Sequence, residues 1–156
     1  MDQNSVEKGI VEKFLKQCLS NPVRRDEFKL SVKDGHTSFH YRIYTTITST
    51  ECTRIFFPRG TPVDSVEEKK HGQAGIRQIS LSNLESFLEG LINAQLWNLQ
   101  NCKEAGSPDE AELHFTLFQK DIPIFERKVW ETCKYKDARL NAILKLIDAI
   151  SPSHKD

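Results

Sequence analysis

No stretch of this 156-residue chain is apolar for the roughly 20 consecutive residues that a membrane helix needs. The first residues, MDQNSVEKGIVEK, lack both the basic and the apolar segments of a secretory signal. There is no CxxC pair. Cys18, Cys52, Cys102 and Cys133 stand 34, 50 and 31 residues apart with no histidine at ligand spacing, which excludes the common zinc modules. Phosphate-binding signatures are missing too, because Gly72-Gln73-Ala74-Gly75 is neither a P-loop nor a dinucleotide fingerprint. Charge excess is absent: 22 basic residues meet 22 acidic ones, and neither sign collects in one region. Wrapping of nucleic acid, which draws its affinity from phosphate neutralisation, is therefore not expected. Repeats and low-complexity segments are likewise missing. These absences lead to the expectation of a cytoplasmic protein with reduced thiols, no metal, no cofactor and no membrane contact.

What is present is alternation. Phe28, Leu30 and Val32 interleave with Lys29, Ser31 and Lys33. Asp34-Gly35 follows, and then Phe39, Tyr41, Ile43, Thr45 and Ile47 alternate again. An Asp-Gly pair between two period-2 runs predicts a two-residue hairpin, with Leu30 opposite Phe39 and Phe28 opposite Tyr41. On its other face Lys29 would meet His40 and Glu27 would meet Arg42. A third strand, Cys52–Phe57, is expected after a Ser49-Thr50-Glu51 turn. Two more come from Leu113, Phe115 and Leu117, and from Phe125, Arg127 and Val129. Their expected register sets Leu117 against Phe125 and Leu113 against Val129.

Helical spacing appears three times. Val6, Ile10, Phe14 and Cys18, widened by Val11, Leu15 and Leu19, mark a first helix capped by Asn4 with Glu7 reaching back. Leu84, Phe87, Leu88, Leu91 and Ile92 mark a second, opened by a Ser82–Glu85 capping box. Leu140, Ile143, Leu144 and Ile147 mark a third, from about Asp137 to Ser151-Pro152. Residues 58–78 hold two prolines, three glycines and an EEKKH charge run, and read as a flexible surface loop with residues 60–75 mobile. Residues 101–110 read as a second loop. The expectation is one α+β domain over residues 1–156, a two-layer sandwich in the order α-βββ-α-ββ-α. Its five-stranded antiparallel sheet would be packed with three helices.

Five histidines offer no catalytic pattern. His40 and His114 fall on the polar strand face, His36 beside the Asp-Gly turn, His71 in the long loop and His154 near the end. A nucleophilic pair such as Cys52 with His40 is one of twenty Cys–His combinations, and exposed histidine is the ordinary case. The sheet's outer face is richer than a solvated surface requires. There the alternation sets Arg42 and Tyr44, Arg54 and Phe56, Phe118 and Trp130, residue types that favour a protein partner. The expectation is a non-enzymatic protein-binding module. A small-molecule binder or enzyme with a site between sheet and helices is the alternative. A single-stranded RNA binder stacking bases on Tyr44, Phe56 and Phe118, with Arg42 and Arg54 on phosphates, is a third reading.

In element order, and in its Leu/Phe-rich middle helix (LSNLESFLEGLINAQL), the chain resembles the type III secretion chaperones and related small bacterial proteins. The resemblance implies a homodimer through the middle helix, here Leu84, Phe87, Leu88 and Leu91, with partner segments wrapped on the sheet and first helix. The neutral charge and the long 58–78 stretch depart from that pattern.

Overall fold

The computed structural model describes residues 3–34, 42–57, 73–102 and 112–152. The chain is α+β: the described residues form four α-helices and a six-stranded antiparallel sheet. Helix α1 (Gln3–Ser20) is followed by the short α2 (Pro22–Asp26), then by β1 (Phe28–Asp34), β2 (Arg42–Thr48), β3 (Glu51–Phe57) and β4 (Gln73–Gln78). Helix α3 (Leu81–Asn93) crosses the sheet to β5 (Glu112–Gln119) and β6 (Ile122–Trp130), and α4 (Ala138–Ile150) closes the fold. The strand order is β4-β3-β2-β1-β5-β6, so β1 lies between β2 and β5.

Helix identity follows the apolar spacing. Val11, Phe14, Leu15 and Cys18 of α1, Leu84, Phe87, Leu88 and Leu91 of α3, and Leu140, Ile143, Ile147 and Ile150 of α4 all face the sheet. The stripe on α1 is narrower than its sequence implies, since Val6 and Ile10 are exposed. Glu7 does not cap α1; its carboxylate accepts from Arg127 Nη2 at 2.6 Å and ties the helix to β6. The cap of α3 is Ser80 rather than Ser82, its Oγ accepting from Asn83 N at 3.1 Å. Helix α4 starts where expected, and Asp137 is its cap. Gly90 lets α3 and α4 approach: a Cβ there would lie 2.5 Å from Leu146 Cδ2.

Three features of the sheet differ from the sequence reading. The β1–β2 register sets Leu30 opposite Ile47 and Val32 opposite Thr45, not Leu30 opposite Phe39, and Lys29 faces Thr48 rather than His40. Asp34-Gly35 is thus not a two-residue turn; Phe39, His40 and Tyr41 lie outside the described residues. The difference is eight positions, an even number, so the apolar residues keep the same face. The β2–β3 turn holds only Ser49 and Thr50 between the strands. Thr48 Oγ1 accepts from Thr50 N at 3.4 Å and Glu51 N at 3.3 Å, and Glu51 already belongs to β3. One residue less in a turn reverses the following strand, so Cys52, Arg54 and Phe56 face the helices while Thr53, Ile55 and Phe57 face outward. Third, Gln73–Gln78 is a strand paired along β3, where the sequence reads as loop; residues 58–72 lie outside the described residues. Gly75 leaves room there for Pro152 beyond α4, 3.4 Å from its notional Cβ.

The glycine-free β5–β6 connection is the tight hairpin. Gln119 pairs with Ile122, leaving Lys120 (φ 52°) and Asp121 (φ 66°) as a two-residue left-handed turn. Beyond it Leu117 meets Phe125 and Leu113 meets Val129, as expected, with a bulge between Leu117 and Phe118. A left-handed conformation costs a non-glycine residue roughly 1 kcal/mol or more. Lys120→Gly should therefore stabilise the protein by about 1 kcal/mol. Chemical denaturation checks this: an unchanged or lowered midpoint would contradict the turn geometry.

Candidate functional site

Residues directly opposite in an antiparallel ladder share a face, so the registers fix what the sheet presents on the side away from its core. Tyr44, Phe118 and Trp130 lie there, as expected, together with His114. Arg42 occupies an outward register position, its side chain being outside the described part. Arg54 and Phe56 do not join them. Arg54 Nη2 donates to Asp148 of α4 at 2.8 Å and its Nε to Thr45 Oγ1 at 3.1 Å, and Phe56 is buried on the helix side. Phe57 takes the outward place instead, its ring 4.8 Å from that of Tyr44 in an edge-on contact. ECTRIFF carries apolar residues at both parities, so alternation alone does not choose between them.

The outer aromatics are paired with lysines. Lys29 Nζ lies 4.5 Å from the Phe118 ring centroid and Lys33 Nζ 5.3 Å from that of Tyr44, distances at which cation–π attraction operates. Between these two clusters runs a feature that no single strand discloses. Thr53 of β3 faces Thr46 of β2, Thr46 faces Ser31 of β1, and Ser31 faces Thr116 of β5. Four small hydroxylated residues thus stand in register across four adjacent strands. Ile76 of β4 and Glu126 of β6 close the row at its ends. Lys29 and Phe118 flank it on one side, Tyr44, Lys33 and His114 on the other. The side chains of the row are shorter than the amphipathic ones that flank it, and Thr116 at its β5 end is 9% exposed. At its edge His114 Nε2 is shut off from solvent without a hydrogen-bond partner, Glu126 Oε2 being 4.0 Å away.

Other chemistry is closed off. Cys18 and Cys52 are buried free thiols; burial pushes Cys18 up to about 12 and also raises Cys52, so neither is a ready nucleophile. Cys52 Sγ contacts Ser151 Oγ at 3.5 Å rather than a histidine. Cys102 and Cys133 form a disulfide, which overturns the expectation of four reduced thiols. Among the described residues no three His, Cys, Asp or Glu side chains converge in a way that would hold a metal ion, and no helix is long and apolar enough to cross a membrane. A depression of about 500 Å³ along α1 is lined by Gly9, Glu12, Lys13, Lys16, Gln17 and Ser20 of that one helix. Leu84, Phe87, Leu88 and Leu91, expected at a dimer interface, are 0–2% exposed within the protomer's own core and offer no surface to a second chain.

No protein-family model, curated protein or solved structure matches this chain.

The thiol assignments lead to a count. Native protein should present no fast-reacting thiol, unfolded unreduced protein two, and unfolded reduced protein four. Four thiols on unfolding without reductant would contradict the disulfide. Because the Cys18 thiol titrates higher folded than unfolded, its contribution to stability is complete below pH 9 and is lost as pH rises towards 12. Replacing Cys18 with Ala should flatten that alkaline loss in a pH series of melts.

Proposed function

We propose that this chain is a non-enzymatic protein-binding module that receives a polypeptide segment of its partner along the Thr53–Thr46–Ser31–Thr116 row. The observation that carries the reading is the registered row itself. Strands lie about 4.8 Å apart, so four of them give a row of about 14 Å, matching four or five residues of extended chain. Small side chains let a partner's backbone come close, and hydroxyls can both donate to its carbonyls and accept from its amides. The flanking Tyr44, Phe118 and lysine stems supply apolar walls with polar tips, the composition of a binding surface. Trp130 extends that wall at the far end of β6.

Chaperone, immunity and adaptor roles are each compatible with binding a polypeptide segment along this row. The secretion-chaperone resemblance rests on element order, from which the extra helix α2 and strand β4 depart. A small-molecule site between the layers is disfavoured, because that space is filled by side chains such as Leu30, Phe87, Phe115 and Ile143, none more than 2% exposed. RNA stacking is disfavoured by the inward facing of Arg54 and Phe56. The Cys102–Cys133 bond favours an oxidising compartment over the cytoplasmic location expected from the sequence.

Blocking the row tests the proposal. Thr46→Trp and Ser31→Trp should each lower recovery of the captured partner at least tenfold. Since both side chains face away from the core, stability should change by only about 0.5 kcal/mol. Folded variants that capture the same partner undiminished would place the binding surface elsewhere.

A further inference from the structure

The two edges of the sheet are treated oppositely. Along β6, residues 99–102 lie as a covering strap. Arg127 Nε donates to Leu99 O at 2.6 Å, Lys128 N to Asn101 Oδ1 at 2.8 Å, Cys102 N to Lys128 O at 3.1 Å, and Trp130 N to Cys102 O at 3.1 Å. The disulfide to Cys133 fastens that strap. Among the described residues the β4 edge has none of these devices. Its six residues, QAGIRQ, pair with β3 in unbroken register, and it contains no proline and no lysine. Among the described residues no other strand lies beyond it. Its one charge, Arg77, faces the helices and donates to Ala149 O at 2.8 Å. Ile76 points to the outer face and is 60% exposed. A regular edge strand whose one charge is turned towards the helices is a template for pairing with another strand.

We propose that β4 pairs with β4 of a second copy of this chain, joining two sheets into one of twelve strands. Self-complementarity argues for a second copy rather than a foreign strand. In an antiparallel pair about a two-fold axis normal to the sheet, both copies keep their helices on the same side. Setting Ile76 opposite its symmetry mate places Gly75 opposite Arg77 and Ala74 opposite Gln78. The exposed apolar side chain then meets itself, and the guanidinia are separated, each facing the residue without a side chain. Centring on Arg77 would oppose two like charges. The dimer leaves α3 wholly inside its own protomer, and the pairing is independent of what the outer face binds.

Sedimentation of the full chain and of Ile76→Lys tests this. At about 100 µM, a concentration suited to a small strand-pair interface, the unaltered chain should sediment at twice its 18.0 kDa. Ile76→Lys should sediment as a protomer with unchanged circular dichroism and melting in dilute solution. Under mild oxidation Ile76→Cys should cross-link to itself much faster than Ala74→Cys, whose opposite neighbour is Gln78. A protomer alone at that concentration, a dimer surviving Ile76→Lys, or equal cross-linking of the two cysteine variants would each overturn the proposal.

Discussion

Everything in this fold is referred to β1. The strand is hydrogen-bonded on both sides, to β2 and to β5, and its Leu30 lies between Ile47 and Leu117. All three are 0% exposed. Because side chains alternate, fixing Leu30 inward fixes Lys29, Ser31 and Lys33 outward, and pairing carries that choice to the neighbouring strands. Each buried leucine or isoleucine of this size contributes roughly 1.5–3 kcal/mol relative to exposure. A slip of one residue would forfeit several such contributions together, so the register is strongly determined.

Legibility in the sequence tracked how many parities were allowed. FKLSV and LHFTL place their large apolar residues at one parity only, and their facing was readable, as was the β5–β6 register. The β1–β2 register was not, because alternation is preserved under any even shift. Asp34-Gly35 offered a turn that pairing across β1 did not use. The facing of β3 depended on whether the preceding turn held two residues or three, and the two-residue turn is held by the Thr50 and Glu51 amides donating to Thr48 Oγ1. Strand β4 was hidden by glycine and charge in its surroundings; its partner β3, not its own pattern, makes it a strand. The hydroxyl row was invisible for a related reason. It exists only between strands, and its four members lie at unrelated places in the chain.

The same register connects fold and function. The core helices pack on the face carrying Leu30, and the proposed surface is the opposite face, carrying Ser31. Arg127 closes the structure at the opposite end from β4: 11% exposed, it joins Glu7 of α1, the Leu99 carbonyl and the Phe125 ring, 4.2 Å from the guanidinium. Such a buried, multiply hydrogen-bonded guanidinium is stabilising only while all its partners are in place. One edge of the sheet is thereby sealed by an ion pair, a strap and a disulfide, while at the other no described strand lies beyond β4.

The pairing of β1 is the claim on which the row, the facing of β3 and the β4 edge all depend. Cross-strand nuclear Overhauser effects in uniformly labelled protein test it most directly. The account predicts backbone contacts linking Leu30 with Ile47 and Val32 with Thr45 on one side, and Leu30 with Leu117 on the other. Contacts linking Leu30 with Phe39 and Phe28 with Tyr41 would contradict it.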